Sequence, residues 1–326
     1  MSVKKAAFLF TIDLELMWGF NGSLIERPWL LHTPNFRRYV NNMLRARDIA
    51  EELIRLAERF EVPITWAIVG HLLLDKCERK GDVPHPDMPR PKTTSGLDWY
   101  AFDPCTGLAK DPLWYGKDIV EAILDSDVEH ELGCHSFSHV NFRACSREVA
   151  EAEVRKCVSL MEEIGVRPLS FVFPYDRVGH LDVLAKHGFK AFRSPLKSWV
   201  WPLQEPERLK GFLMNVIEAP LRKRLGLPPP IMRPRRRGAL VELPSLCPLY
   251  APSEVGPLSL MRGILKAIHI AHRRGALIHV YSHLHNLAQD KACLRAIVFL
   301  FNIISSLREQ GLMDVLTMRE AARLAR

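Results

Sequence analysis

The sequence of 326 residues lacks several patterns that assign a chain quickly to a class of protein. No G-x-G-x-x-G follows the first predicted strand and no G-x-x-x-x-G-K-[ST] occurs, so dinucleotide and P-loop sites have no support. No helix-turn-helix, zinc-finger or RNA-binding pattern is present, and nucleic acid is therefore not the expected partner. No internal repeat is detectable either. The chain has to be classified from the residues that it does contain.

Cysteine is scarce and follows no pattern. The seven cysteines are an odd number and form no C-x-x-C pair, so we expect no disulfide framework and a reducing compartment. The apolar run near the N terminus is interrupted at Asp13, which indicates a strand and not a signal peptide. The apolar stretch Leu294–Leu307 contains Asn302 and two serines and is too short to span a bilayer. We therefore expect a cytoplasmic protein.

Positive charge is in excess, with a net charge of +8, and part of it lies in a proline-rich segment at about 222–237. The basic residues of this segment are Arg222, Lys223, Arg224, Arg233, Arg235, Arg236 and Arg237. Such a segment could bind phosphates, anionic lipid headgroups or an acidic sugar, so one interpretation is a peripheral membrane contact or a lipid-linked substrate. The alternative, a solvated loop, is the one we favour. No feature indicates an oligomeric state.

Apolar runs typical of buried strands alternate with helical periodicities along the chain. The predicted strands are Ala6–Ile12, Val62–Val69, Glu131–Cys134, Leu169–Phe173, Lys190–Arg193, Ala239–Leu243, Ala276–Ser282 and Val315–Thr317. The predicted helices are Asn42–Phe60, Tyr115–Leu124, Ser146–Ile164, Val178–His187, Leu258–Arg274 and Leu287–Leu307. This alternation predicts an α/β fold of parallel strands with right-handed crossovers. Seven or eight units favour a single-domain barrel over residues 1–326, with a proline-rich insert at about 75–113 that is long enough to cover a site.

Two histidines, His135 and His139, are four residues apart directly after a predicted strand. Neutral imidazole is a common zinc ligand, and two imidazoles with one carboxylate leave the fourth tetrahedral position open for water. Asp13 and Glu15 follow the first strand and are candidates for that carboxylate. The alternative is a pair of surface or helix-face histidines, because thirteen histidines make such a spacing common by chance.

The polar residues of interest all follow the ends of predicted strands. Asp13 and Glu15 follow the first strand, His135 the third, Tyr175 the fourth and His283 the seventh. In a parallel barrel, loops at the carboxyl ends of the strands carry the catalytic groups. The remote segments are therefore expected to converge on one rim.

These segments, in this order, resemble the polysaccharide deacetylase family, also called the NodB-homology or carbohydrate esterase 4 family. Thr11–Glu15 is similar to the first family motif, usually T-F-D-D, and His135–His139 matches the second, H-[ST]-x-x-H. Phe173–Tyr175 resembles the end of the third motif, and Leu277–His283 is similar to the last, a strand that ends in a histidine. Val315–Met318 resembles the closing strand, so the resemblance covers nearly the whole chain.

The resemblance implies a distorted (β/α) barrel and a divalent metal, commonly zinc, that serves hydrolysis of an amide or ester. By the residue match, His135, His139 and Glu15 hold the metal and Asp13 takes the proton from the metal-bound water. The opposite assignment of Asp13 and Glu15 stays open. A backbone N–H near Tyr175 is expected to hold the oxyanion.

The match also implies a general acid near the end of the last barrel strand. His283 is expected to protonate the leaving amine, because it ends the strand, and His285 is the competing candidate. His279 lies within the strand and is interpreted as a core or supporting residue. The indoles of Trp18, Trp99 and other tryptophans receive no assignment.

The chain departs from the family pattern at two places. The third motif usually has an arginine two residues before its proline, where it steadies the base, and here that position is Val172. Arg177 or Arg193 could supply this charge from a neighbouring loop. The segment D-x-x-D-W, whose acid tunes the catalytic histidine, is also absent. Its rough substitutes are Asp176 with Trp199 or Trp201.

The leading functional hypothesis is a metal-dependent hydrolase that removes an acetyl group from an N-acetylated sugar. A nucleotide-linked or lipid-linked sugar is expected, whose phosphates segment 222–237 could hold. A second hypothesis is a C–N hydrolase that acts on a small cyclic or linear amide. A third, supported by Val172, is a catalytically impaired relative that binds a glycan or scaffolds an assembly.

Overall fold

The computed structural model describes residues 5–77, 79–195, 228, 231, 233–249 and 257–325. Its strands are β1 (Ala6–Leu14), β2 (Thr65–Ile68), β3 (Arg79–Lys80), β4 (Val83–Pro84), β5 (Glu131–Cys134), β6 (Ser170–Val172), β7 (Ala191–Ser194), β8 (Arg235–Arg237), β9 (Leu240–Pro244), β10 (Cys247–Pro248), β11 (Leu277–His283) and β12 (Met313–Leu316). Its α-helices are α1 (Trp18–Glu26), α2 (Pro34–Phe60), α3 (Lys117–Leu124), α4 (Arg147–Glu163), α5 (Leu181–Lys186), α6 (Pro257–Arg274), α7 (Leu284–Gln289), α8 (Lys291–Glu309) and α9 (Met318–Ala321).

A parallel sheet runs in the order β11-β1-β2-β5-β6-β7-β9, and the chain after β9 closes it into a ring. β9 pairs with β7, and β10 pairs with β11. On either side of β10, the backbone N–H groups of Leu246 and Leu249 donate to the carbonyl oxygens of His279 and Tyr281 on β11, each at 2.7 Å. One stretch of chain thus contacts both ends of the sheet. The α/β class and the distorted barrel of seven or eight strands are confirmed.

The centre of the barrel is β1, whose nine residues are all buried. It pairs in parallel with β11 on one side and β2 on the other, and β12 pairs with its first residues. A strand in this position has no face toward water, which explains the continuous apolar run that predicted it. Its carboxyl end is therefore fixed from both sides.

The helices form where local signals and packing agree. Ser146 caps α4 as expected, accepting a hydrogen bond from the backbone N–H of Val149 at 3.3 Å. Helix α1 was not predicted, because Gly19, Asn21 and Gly22 give it a weak intrinsic propensity. It forms where it packs onto the barrel, with Trp18 and Leu24 buried.

Several expectations are corrected or fall outside the described residues. Cys77 and Cys105 are joined by a disulfide, so the expectation of no disulfide was wrong for this pair, although no framework of several bridges accompanies it among the described residues. Within the described part of the chain, no helix is both long and apolar enough to cross a membrane. Trp199, Trp201 and most of segment 222–237 lie outside the described residues, but β8 is described and is exposed.

The amino-terminal end of the barrel is held by one buried carboxylate. Glu131, at the start of β5, accepts hydrogen bonds from the hydroxyls of Thr65 on β2 and Ser170 on β6. It also accepts one from the backbone N–H of Arg319 in α9, at 2.9 Å. Since three strands or helices donate to it, its removal leaves several buried donors without an acceptor.

We expect Glu131→Ala to lower the free energy of unfolding by about 2–4 kcal/mol, because it breaks a buried hydrogen-bond network. The matched control is Glu129→Ala, which removes an acid two residues earlier whose side chain is 84% exposed and pairs with Arg319. That control is expected to cost less than about 1 kcal/mol. Urea denaturation followed by circular dichroism measures both values, and equal losses would contradict the role given to Glu131.

Candidate active site

Two buried acids lie at the carboxyl end of β1. Asp13 is the register partner of His283 on β11, and Glu15 follows directly after the strand. Only 2% of Asp13 and 5% of Glu15 is exposed, although both are carboxylates. Buried charges are costly unless they are paired, so the surroundings of these two acids must supply opposite charge.

The two histidines of the H-x-x-x-H pair come from the loop after β5. Ser136 and His139 have φ angles of 62° and 61°, and this left-handed backbone bends the loop. The bend brings the two imidazole rings within 4.8 Å of each other. His135 Nδ1 lies 2.7 Å from the carbonyl oxygen of Val172, which can only accept, so Nδ1 carries the proton. The lone pair of His135 is therefore on Nε2.

Glu15 and the two imidazoles form a compact set of metal-ligand atoms. Glu15 Oε2 lies 2.8 Å from His139 Nε2 and 3.9 Å from His135 Nε2. His135 Nε2 and His139 Nδ1 are buried, and neither has a hydrogen-bond partner among the described residues. One ligand atom from each of the three residues lies within 4.8 Å of the others. This donor set, with a buried imidazole nitrogen that has no proton of its own, fits a divalent metal such as zinc.

Asp13 is bound by an arginine from a neighbouring strand. Arg193 on β7 donates from both terminal nitrogens to the two carboxylate oxygens of Asp13, each at 2.6 Å. Arg193 is the register partner of Val172 on β6, the position where the family motif usually has its arginine. The charge is thus supplied at the same height of the barrel, one strand away. Of the two arginines considered above, the structure brings Arg193 to Asp13.

His279 supports this ion pair from β11. Its Nε2 lies 3.1 Å from the hydroxyl of Thr11, and Arg193 donates to the same hydroxyl at 3.3 Å. Burial, together with the nearby charge of Arg193, lowers the pKa of His279 to about 3. His279 is therefore neutral and lies within the core as expected.

His283 reaches both acids, whereas His285 does not lie against them. His283 Nε2 is 3.3 Å from Asp13 Oδ2 and 3.3 Å from Glu15 Oε1. The side-chain amide of Asn286 lies 3.1 Å from His283 Nδ1 and fixes the ring. His285 is packed beside the ring of Tyr39, and burial lowers its pKa to about 4.

Asp176, the proposed substitute for the family acid, contacts other partners. It lies 3.5 Å from Arg193, and its carboxylate accepts from the hydroxyl of Tyr281 at 3.4 Å. Asp176 therefore contacts Arg193, which pairs with Asp13, and does not take the expected place beside His283. The residue that contacts His283 Nδ1, Asn286, was missed because an Asn three residues after a histidine in a helix carries no distinctive signal.

Tyr175, which follows β6, contacts the loop after β5 that carries His135 and His139, here called the histidine loop. Its ring lies 4.5 Å from the ring of His139, and its φ of 57° gives a left-handed backbone that turns the following peptide. Helix α1 covers it closely, because a Cβ at Gly22 would meet its hydroxyl at 2.4 Å and a Cβ at Gly19 would meet Glu15 at 2.6 Å. The glycines let α1 approach the site, a role that sequence reasoning missed.

The charges in the site set the protonation of the two acids. Burial raises the pKa of Glu15, but His139 and His283 outweigh it and hold the pKa well below its usual range. Burial likewise raises the pKa of Asp13, and Arg193 and His283 bring it below its usual value. Both acids are therefore carboxylates at neutral pH. The site can hold a cation at Glu15 and keep Asp13 ready to accept a proton.

Residues 42–192 match the family model described as polysaccharide deacetylase. Over these residues the chain is similar to polysaccharide deacetylases. The resemblance recognised in the motifs is thereby confirmed. The matched range includes His135, His139 and Tyr175, whereas Asp13, Arg193 and His283 come from outside it and reach the site through the barrel. No curated protein matches the chain significantly in sequence.

Solved structures share the fold of this chain. A candidate polysaccharide deacetylase from Mycobacterium smegmatis has a TM-score of 0.60 and 14% identity, over 99% of this chain and 90% of that one. PuuE allantoinase has a TM-score of 0.57 and 13% identity, over 99% and 91%. A candidate polysaccharide deacetylase from Pseudomonas aeruginosa PAO1 has a TM-score of 0.56 and 10% identity, over 98% and 90%. At such identities the likeness concerns the fold alone.

Glu153 of α4 holds the histidine loop through hydrogen bonds. Glu153 is buried and accepts from the backbone N–H of Ser138 at 2.7 Å and from its hydroxyl at 2.6 Å. Burial raises the pKa of Glu153 to about 7, and the hydrogen bonds from Ser138 offset only part of that effect. The folded protein therefore binds this proton more tightly than the unfolded chain does.

We expect the stabilising contribution of Glu153 to fall as the pH rises from about 4.5 to about 7, because the unfolded chain releases the proton first and the folded protein then loses the favoured neutral form. Glu153→Gln, which stays neutral, is expected to lose this pH dependence. Unfolding free energies of wild type and variant, measured by urea denaturation at several pH values, give the difference. Glu148→Gln, an exposed position on the same helix, is the control. A constant difference across this range would contradict the prediction.

Proposed function

We propose that the protein is a metal-dependent hydrolase that removes an acetyl group from an N-acetylated sugar. The observation that carries the proposal is that a candidate metal-ligand set and a buried ion pair lie side by side in one site. Glu15, His135 and His139 form the ligand set, and the Asp13–Arg193 ion pair lies beside it. The family match to polysaccharide deacetylases supports the reaction class.

The ligand set fits a divalent metal such as zinc, which when bound would act as a Lewis acid toward water and an amide carbonyl. Asp13 is the proposed general base, because Arg193 holds it as an oriented carboxylate beside the ligand set. Glu15 is the proposed ligand because its Oε2 lies 2.8 Å from His139 Nε2 and 3.9 Å from His135 Nε2. This assignment favours the first of the two alternatives for the acids.

His283 is the proposed general acid for the leaving amine. Its Nε2 lies 3.3 Å from a carboxylate oxygen of each acid, so the ring nitrogen that would deliver the proton faces the site. The left-handed turn at Tyr175 supports the backbone N–H of that segment as the proposed oxyanion donor. The Arg193–Asp13 pair removes the argument for an impaired relative, which rested on Val172.

A glycan is the proposed substrate. More specifically, we propose an N-acetyl sugar that is linked to phosphate. The exposed arginines of β8 support it, since Arg235 lies opposite Glu242, two residues before β9 ends at the carboxyl rim. A C–N hydrolase acting on a cyclic amide is the second candidate. It is favoured by the fold shared with PuuE allantoinase.

We expect His135→Ala to lower the metal content and to reduce hydrolysis at least about 100-fold, because a ligand is lost. The measurements are elemental analysis of purified protein and acetate release from free and nucleotide-linked N-acetyl sugars. The control is His269→Ala, an exposed histidine on α6. Hydrolysis of cyclic ureides by the same preparations tests the second candidate.

The results separate the hypotheses. Acetate release that depends on His135 supports the deacetylase, whereas ureide hydrolysis without acetate release supports the C–N hydrolase. Unchanged metal content and unchanged hydrolysis in His135→Ala would show that both proposals are wrong.

We expect Arg193→Met to move the acid limb of the kcat/KM profile to higher pH, because burial then raises the pKa of Asp13 without the opposing cation. Arg193→Lys keeps the charge but loses the two-point geometry, so a smaller shift is expected. The pH profiles of wild type and both variants, with circular dichroism as a check of folding, test this. An acid limb that stays in place in Arg193→Met would exclude Asp13 as the base.

A further inference from the structure

A second set of metal-ligand atoms lies beneath the histidine loop, formed by the insert and the residues after β2. His71 Nε2 lies 3.0 Å from His85 Nε2 and 3.2 Å from Asp103 Oδ2, and His85 Nε2 lies 2.9 Å from the same oxygen. The sulfur of Cys77 lies 3.5 Å from His85 Nε2. Ligands of one tetrahedral zinc ion lie about 3.2–3.8 Å apart, given bonds of about 2.0–2.3 Å. The His71–Asp103 and Cys77–His85 distances fall in this range, and the two contacts of His85 Nε2 with His71 and Asp103 are slightly shorter, so the donor atoms lie close to ligand spacing.

His85 Nε2 can donate one proton within this cluster, but the contact between His71 and Asp103 is left without a donor. His71 Nδ1 lies 3.3 Å from the carbonyl oxygen of Trp114, which can only accept, so Nδ1 carries the proton and Nε2 carries a lone pair. That lone pair faces a carboxylate oxygen of Asp103, which also only accepts. A lone pair against a carboxylate in a fully buried site is unfavourable unless a cation lies between them.

We propose that, when Cys77 and Cys105 are reduced, a structural zinc ion is bound by His71, His85, Asp103 and the Cys77 thiolate. In the structure the two cysteines form a disulfide, and Cys105 also lies near Asp103 and Cys77. A dithiol reductant places two electrons and two protons on that disulfide and is itself oxidised to a disulfide. Zinc then displaces the Cys77 thiol proton to solvent.

The proposed zinc site fastens the insert to the peptide that carries the first ligand set. His71 donates its backbone N–H to the carbonyl oxygen of Phe137 at 2.9 Å. From the insert, the indole of Trp99 donates to the carbonyl oxygen of Ser138 at 3.0 Å. His71, His85 and Asp103 are buried and none of them belongs to the first ligand set, so the role proposed for this zinc is structural.

Cobalt substitution tests the proposal independently of enzyme activity. Reduced protein titrated with Co²⁺ is expected to show a near-ultraviolet thiolate-to-cobalt charge-transfer band, because this site has a sulfur ligand and the Glu15 site has none. Cys77→Ser and His71→Ala are expected to abolish the band and remove about one equivalent of bound metal. His135→Ala and Cys145→Ser, outside the cluster, are expected to keep it.

Asp103→Asn, nearly isosteric, provides a second variant in case the others do not fold, and it is expected to weaken cobalt binding at least about tenfold. The proposal is overturned if reduced wild type shows no such band. It is also overturned if the band persists in Cys77→Ser, or if the disulfide survives the dithiol and excludes cobalt.

Discussion

The site depends on two carboxylates buried at the end of one strand. Asp13 and Glu15 have almost no contact with water, and each would destabilise the fold if left alone. Arg193 compensates Asp13 with two hydrogen bonds, whereas the ion-pair partners of Glu15 among the described residues are His135, His139 and His283. The different partners give the acids different chemistry. This difference is the basis for proposing Asp13 as the base and Glu15 as the ligand for a cation.

The barrel places these partners through strand register. β1 carries Asp13 opposite His283 on β11, and β7 carries Arg193 opposite Val172 on β6. Because the ring closes through the chain after β9, side chains from β1, β7 and β11 enter the same interior, where Arg193 and His283 contact Asp13. A family motif written for one strand can therefore be fulfilled by the next strand, provided that the side chain enters the barrel at the same height.

The barrel strands and the pair of histidines could be predicted from sequence, because their signals were local. The apolar runs located the barrel strands, and the spacing of His135 and His139 predicted a pair of candidate ligands, which the structure brings together with Glu15. The pairing of Arg193 with Asp13 could not be derived, since it joins residues 180 apart through a register that no local pattern specifies. Helix α1 was missed for a related reason. Its glycines weaken the local signal while they permit close packing on Glu15.

In the proline-rich insert, by contrast, the local sequence predicts little structure, and tertiary contacts determine the conformation. Its described part has only the two-residue strands β3 and β4, so hydrogen-bonded structure contributes little to its order. A long segment of this kind loses considerable conformational entropy when it is fixed, and a cross-link between its ends offsets that loss. His71 precedes the insert and Asp103 lies near its end. A cross-link there, through sulfur or through a metal, fixes the covering segment against the loop that holds His139, and thereby makes the geometry of the catalytic site depend on the state of the insert.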